Sequence, residues 1–331
     1  MGREHVHFRK HAIAIVVPAY NVERHIAEVL RGLPGYVRHV IVVDDASKDG
    51  TAEVVAAVAA RDRRVVLLRH TKNQGVGGAM VTGFRKALEL GADVVVKIDG
   101  DGQMDPSYLP DLLTPLLLGE ADYTKGNRFR DFQALRQMPW IRRLGNMALS
   151  FAAKAATGYW NCFDPTNGFL AIRSEVLRQL PLERIDHSYY FETSMLSYLY
   201  LVGACVRDVP IPARYGDETS NISIRRVLMT FPLKLLRTFL RRIVLKNYLY
   251  DFNMESVFLL AGLPLLLFGL IFGSYKWAYY AGLGIPAPTG TVMLPTLSVI
   301  LGIQFLLSAI SIDLQSVPTK PLSPPLEERH R

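Results

Sequence analysis

Residues 94–103 read Val94-Val95-Val96-Lys97-Ile98-Asp99-Gly100-Asp101-Gly102-Gln103, a short apolar run closed by a glycine-rich turn that carries two aspartates. Similar runs rich in valine and isoleucine occur at 12–17, 39–43 and 65–69. Helical patterns fill the gaps at 22–32, 51–60 and 79–90. Strands alternating with helices predict a mostly parallel sheet in an α/β domain. Such sheets bind ligands beyond the carboxyl ends of their strands. The chemistry is therefore expected just after Val17, Val43 and Ile98.

Each of those three places carries polar residues. After the first run comes Pro18-Ala19-Tyr20-Asn21. After the second comes Asp44-Asp45-Ala46-Ser47-Lys48-Asp49-Gly50-Thr51. Clustered carboxylates repel one another unless a cation or hydrogen-bond donors hold them. Asp99 and Asp101 are one residue apart in a glycine-rich turn, a spacing that can point hard oxygens at one Mg²⁺ or Mn²⁺. The competing reading is that both are ordinary turn residues. Asp49 and Thr51 read instead as a helix start. Gly75-Val76-Gly77-Gly78 also precedes a helix, but it lies in the wrong place for a dinucleotide fingerprint and reads as a tight packing turn.

The chain has 331 residues, with 38 basic against 30 acidic and a formal charge of +8. Half of it is hydrophobic and 21% is charged, which excludes a disordered chain. Seven of the basic residues fall between 225 and 246 with no acid among them: Arg225, Arg226, Lys234, Arg237, Arg241, Arg242 and Lys246. Without that stripe the chain is close to neutral, so a nucleic-acid-binding face is not expected. Cys162 and Cys205 are the two cysteines, too few for a disulfide scaffold or a thiolate zinc site. Residues 1–11 are polar and basic, and the apolar run after them is too short for a secretory signal.

Residues 256–275 and 277–312 contain no charged side chain. Each stretch can cross a hydrocarbon core of about 30 Å as a helix. Trp277, Tyr279 and Tyr280 suit a lipid–water boundary at the connection. Two spans put both ends on one side, and the basic stripe before the first places that side in the cytosol. The stripe itself alternates apolar and basic residues at helical spacing and reads as an interfacial helix with its cations toward anionic headgroups. The expected organisation is a polar arm at 1–11, an α/β catalytic domain at 12–222, a basic interfacial segment at 223–252, a transmembrane hairpin at 253–315 and a mobile cytosolic tail at 316–331. Expected residence is the inner, cytoplasmic membrane, as a multi-pass protein with its catalytic domain facing the cytosol.

Pro18-Ala19-Tyr20-Asn21, the Asp44–Thr51 series, Asp99-Gly100-Asp101-Gly102-Gln103, Gly126-Asn127-Arg128-Phe129 and Asp164-Pro165-Thr166-Asn167-Gly168-Phe169 occur in that order. The series resembles family 2 glycosyltransferases of GT-A fold, over roughly residues 13–221. Within them it is most similar to the polyprenyl-phosphate and dolichol-phosphate glycosyltransferases, the group of the dolichol-phosphate mannose synthases. The resemblance implies a Rossmann-like, mostly parallel sheet followed by membrane helices. It implies a nucleotide-sugar donor held by Pro18, Ala19, Tyr20, Asn21, Asp44, Asp45, Asp99, Gly100 and Arg214. It implies Mg²⁺ or Mn²⁺ on Asp99, Asp101 and Gln103. Arg128 and Arg142, with Arg143 as the alternative to the latter, would bind the acceptor phosphate. Asp101, Arg128 and Arg142 would form the catalytic set. The family's closing loop departs here, because Gly216-Asp217-Glu218-Thr219-Ser220-Asn221 lacks its lysine, and Arg225 or Arg226 would have to substitute.

The acceptor follows from chemistry. A sugar hydroxyl needs a carboxylate base to take its proton. The Glu-Asp pair common in hydroxyl-using relatives is absent, as is the Gln-x-x-Arg-Trp of processive synthases. A lipid phosphate is already ionised and needs arginines to position it. The expected reaction is an inverting transfer from a UDP- or GDP-sugar to a polyprenyl phosphate, for cell-surface glycan or glycoprotein assembly. Extension of a lipid-linked glycan at a hydroxyl is the alternative, with Asp164, Glu192 or Asp217 as base, and an inactive membrane scaffold is a third. Assembly into a homo-oligomer stays open.

Overall fold

The computed structural model describes residues 8–128, 140–164, 167–212 and 224–326; the side chains of 141–144, 146 and 224–229 lie outside the description. The chain divides into two compact units, Met1–Phe239 with Pro318–Arg331, and Leu240–Val317.

The first unit is built on a seven-stranded sheet: β1 (Ile13–Ala19), β2 (His39–Asp44), β3 (Val65–Arg69), β4 (Val94–Lys97), β5 (Tyr123–Asn127), β6 (Leu170–Arg173) and β7 (Val206–Pro210). The spatial order is β3-β2-β1-β4-β6-β5-β7. β1 pairs in parallel with β2 and β4, and β5 with β7, while β6 runs antiparallel to both β4 and β5. Helices cover the parallel strands: α1 (Ile26–Arg31), α2 (Thr51–Ala59), α3 (Gly75–Glu89) and α4 (Leu109–Leu117). Coverage on both faces explains the unbroken apolar runs, which are buried along nearly their whole length. Strand order reverses between β1 and β4, so the crevice expected of such a sheet opens beyond Ala19, Asp44 and Lys97. Farther along the chain lie α5 (Trp140–Thr157), the short α6 (Ser174–Leu177), α7 (Phe191–Leu201) and α8 (Ile224–Val244). A satellite core joins Ala153 and Ala156 of α5, Tyr190 and Leu235 of α8.

Residues 322–326 of the tail are docked on the sheet. Leu322 N donates to Asp122, 2.9 Å from Oδ2. The buried Arg173 guanidinium donates to the carbonyls of Ser323 and Pro324 at 3.0 and 2.6 Å. Leu326 enters the main core at 4% exposure. Asp122 precedes β5 and Arg173 ends β6, so the tail straps the sheet at the end away from the crevice. Proline-rich composition suggested mobility; prolines instead pre-set an extended strap that loses little entropy on docking.

The second unit contains α9 (Met254–Leu283) and α10 (Thr289–Gln315), 30 and 27 residues long. Both are long and apolar enough to cross a membrane. They pack closely where Gly302 meets the backbone of Leu266 and Gly269 meets Val299. At the root of this hairpin Arg242 forks onto Asp313, at 2.6 Å from Oδ1 and 3.0 Å from Oδ2. Lys246 bridges Asp313 and Glu255 at 2.9 and 2.8 Å. The expectation that the basic stripe faces headgroups fails at two of its seven residues. Arg242 and Lys246 turn inward because Glu255 and Asp313, at the ends of the two spans, would otherwise be buried charges without partners. In the first unit Lys234 likewise pairs with Asp186 at 2.6 Å. Arg237 and Arg241 are exposed.

Candidate active site

The floor of the crevice is a cross-tied pair of loops. β1 ends at Pro18 and Ala19, and Tyr20 is exposed beyond them. Asn21 adopts a left-handed φ of 54°, which asparagine tolerates. Its side chain accepts from Lys48 N at 2.8 Å, and its own N–H donates to Ser47 Oγ at 3.0 Å. Glu23 and Asp49 complete the tie: Glu23 accepts from Gly50 N, and Asp49 accepts from Glu23 N and Thr51 N. Asp49 is thereby held below the ordinary carboxylate range: slight burial pushes it up, and the Thr51 hydroxyl and backbone donors outweigh that. Its role at the helix start is as the residues predicted.

Asp44 and Asp45 are both buried at the end of β2. Asp44 accepts from Ser47 N at 3.2 Å and lies 3.6 Å from Arg69 Nε. Asp45 is committed to the chain on both oxygens. Oδ1 takes His70 Nδ1 at 2.7 Å and Gln74 N at 2.8 Å, and Oδ2 takes Gly75 N at 2.8 Å. It anchors the start of α3. The glycines there pack against the chain: a Cβ at Gly77 would overlap the backbone of Asp186 and His187.

At the end of β4 the sequence concealed a residue. Lys97 is 1% exposed, with Nζ 2.7 Å from Asp99 Oδ1 and 3.4 Å from Glu192 Oε1. Burial alone would lower its pKa, yet the two carboxylates raise it overall, so it stays an ammonium. Asp99 N donates to Met104 Sδ at 3.3 Å. Asp101 Oδ1 accepts from Gln103 N at 3.0 Å across the left-handed Gly102. Gly100 sits behind this turn, close to Ile26 and Val22. A Cβ at Gly168 would overlap Lys97 Nζ and stand 3.1 Å from Asp99 Oδ2, so the segment containing Gly168 approaches as closely as glycine allows.

The end of β5 completes the site. A second buried lysine, Lys125, donates to the carbonyl of Asn167. Burial lowers its pKa despite the surrounding acids. Asn167 Nδ2 donates to Gly126 O at 2.8 Å. Arg128 forks onto Asp164: Nε to Oδ2 at 2.8 Å and Nη2 to Oδ1 at 3.1 Å. Lys97 and Lys125 flank the same residue of β6, Leu170, in register. Asp164, the partner of Arg128, and Gly168, which packs against Lys97 and Asp99, lie only four positions apart in the chain. Arg142 and Arg143 fall within α5, but their side chains lie outside the described residues, as do Arg214, Asp217, and the side chains of Arg225 and Arg226.

Asp99, Asp101 and Gln103 offer hard oxygen donors suited to Mg²⁺ or Mn²⁺. Among the described residues no group of three or more His, Cys, Asp or Glu could hold a metal. The set fits a cation whose remaining ligands come from a substrate.

Comparison with known proteins agrees with this geometry. Residues 14–180 match the model of glycosyl transferase family 2. An undecaprenyl-phosphate mannosyltransferase of Micrococcus luteus is 34% identical over 202 residues, covering 60% of this chain and 82% of that protein. A UDP-N-acetylglucosamine–dolichyl-phosphate N-acetylglucosaminyltransferase of Methanococcus voltae is 32% identical over 181 residues, 51% of this chain and 72% of that protein. Glucosyl-3-phosphoglycerate synthase of Mycobacterium tuberculosis, solved with Mn²⁺, UDP and glucosyl-3-phosphoglycerate, shares the fold at a TM-score of 0.51 and 23% identity, over 70% of this chain and 80% of that one. The first unit thus has the GT-A fold, and the chain belongs to glycosyl transferase family 2.

Proposed function

We propose that the protein is a membrane-anchored inverting glycosyltransferase that moves a sugar from a UDP- or GDP-sugar to a polyprenyl phosphate. One observation carries the choice of acceptor. The two described carboxylates that could act as base toward a hydroxyl, Asp164 and Glu192, are buried and ion-paired with Arg128 and Lys97. A phosphate acceptor needs neither. It needs cationic groups to position it, and Arg128, held in place by Asp164, would be one of them. The printed activities of the Micrococcus luteus and Methanococcus voltae relatives support the same acceptor class.

In this reading Pro18, Ala19, Tyr20, Asn21, Asp44 and Asp45 shape the pocket for base and ribose. Asp45 acts there by holding the pocket wall, since its oxygens are engaged. Asp99, Asp101 and Gln103 would hold Mg²⁺ or Mn²⁺, which supplies charge neutralisation for the departing nucleoside diphosphate. Arg128, with Arg142 or Arg143, aligns the acceptor phosphate for displacement at the sugar carbon, and Arg214 contacts the donor diphosphate. α9 and α10 span the cytoplasmic membrane, with the crevice on the cytosolic side near the lipid phosphate.

The test supplies radiolabelled UDP- and GDP-sugars with undecaprenyl phosphate to the full chain in detergent. The expected product is a lipid whose sugar is released by mild acid, as a glycosyl phosphate is. A lipid product stable to mild acid would reject phosphate as the acceptor.

A further inference from the structure

Lys97 ends a strand of three valines, and its side chain is 1% exposed. An ammonium in such surroundings is unstable unless paired. Its partners are unequal. Glu192 is buried, at 9% side-chain exposure, whereas Asp99 keeps 30% of its side chain open to the crevice. One cation thus serves two carboxylates, and its shorter contact is with the one expected to meet a metal. The backbone is shaped around it, because only glycine at 168 leaves room for Nζ.

We propose that Lys97 is a positioning residue that serves as a built-in counter-cation for Asp99. It commits one carboxylate oxygen to the chain and weakens the empty crevice's hold on a divalent ion until a nucleoside diphosphate arrives with its own oxygens. The proposal rests on reading the crevice as a nucleotide-sugar site. Its physical basis is simple. A divalent ion on Asp99 stands a few ångströms from a buried ammonium, and that repulsion is poorly screened. Asp101 has an oxygen engaged with Gln103 N as well, so the chain alone offers few ligands to an octahedral ion. The negative charge of a diphosphate outweighs the repulsion and supplies the missing oxygens. Cation and nucleotide then enter together, and the crevice does not trap metal without substrate.

Two variants of the full chain in detergent test this through Mn²⁺ binding, followed by electron paramagnetic resonance without nucleotide. Lys97→Met combined with Glu192→Gln removes the ammonium and its second partner together. Mn²⁺ binding should tighten at least about tenfold. Glu192→Gln alone leaves Lys97 with Asp99 as its main partner, and binding should weaken about threefold. A merely structural role would weaken both. Unchanged or weaker binding by the double variant, at a melting temperature close to the parent's, overturns the proposal. Should the double variant not fold, Glu192→Gln decides, and unchanged or tighter binding there overturns it. UDP and GDP added to the parent protein test the underlying reading separately. Either one should tighten Mn²⁺ binding; no response to either rejects the nucleotide site, while the nucleotide-free comparison still judges Lys97.

Discussion

Arg128 and Asp164 form a forked ion pair in which the carboxylate is fully buried and the guanidinium is 41% exposed. The carboxylate fixes the plane of the guanidinium through two hydrogen bonds. Asp164→Asn keeps the shape and loses the charge, so Arg128 should lose its fixed orientation. The expected result is a rise of about tenfold in KM for polyprenyl phosphate, roughly 1.4 kcal/mol, with the KM for the donor unchanged. Steady-state kinetics with each substrate varied in turn separates the two. Equal rises in both constants would mean that Asp164 supports the whole fold and not the acceptor fork.

Gly168 offers a probe that removes no functional group. Its missing Cβ would overlap Lys97 Nζ, stand 3.1 Å from Asp99 Oδ2 and touch Met104 at 3.2 Å. Gly168→Ala should push Asp99 and Lys97 apart by a few tenths of an ångström or more. Small displacements of aligned groups are costly in catalysis. Transfer should fall at least about tenfold, while the melting temperature moves only a few degrees. A variant with full activity would show that the approach of segment 167–169 to Asp99 does not matter to the reaction.

The strap at 318–326 should contribute measurably to stability. Leu326 is buried in the main core, and Leu326→Ala should cost about 2–3 kcal/mol. Denaturant unfolding followed by the fluorescence of Trp160, with Trp140→Phe and Trp277→Phe in the background, reports on this unit. The strap should also resist proteolysis in the parent protein and become cleavable in the variant. Early cleavage between 318 and 326 in the parent would show the docking to be transient.

Much of this was legible in the residues, and the failures have a common cause. Ile13–Ala19, His39–Asp44 and Val94–Lys97 declare themselves because strands covered on both faces must be apolar throughout. The turns that follow them are short and polar, so the crevice could be placed. Lys97 and Lys125 could not be read, because a lysine inside a valine run looks like a flaw in the pattern. Its meaning comes from Glu192 and Asn167, far along the chain. Arg242 and Lys246 misled for the same reason, since Asp313 lies far along the chain and reaches them only because the hairpin turns back. The strap was hidden by composition, since proline marks both loose tails and rigid extended segments.

The root of the hairpin invites a sharper test. Arg242, Lys246, Glu255 and Asp313 form a network of two cations and two anions, with Asn247 donating to Glu255 at 3.0 Å. Asp313→Ala takes the forked partner from the buried Arg242 and one of two carboxylates from Lys246, and should destabilise the second unit by about 3–5 kcal/mol. Arg242→Met with Asp313→Leu removes a matched pair and should cost far less than the sum of the single changes. A double-mutant cycle on the full chain in detergent, read by thermal unfolding, measures the difference. Additive losses would mean that Arg242 and Asp313 do not act as a unit, and that the inward turn of Arg242 is held by the packing of α8 instead.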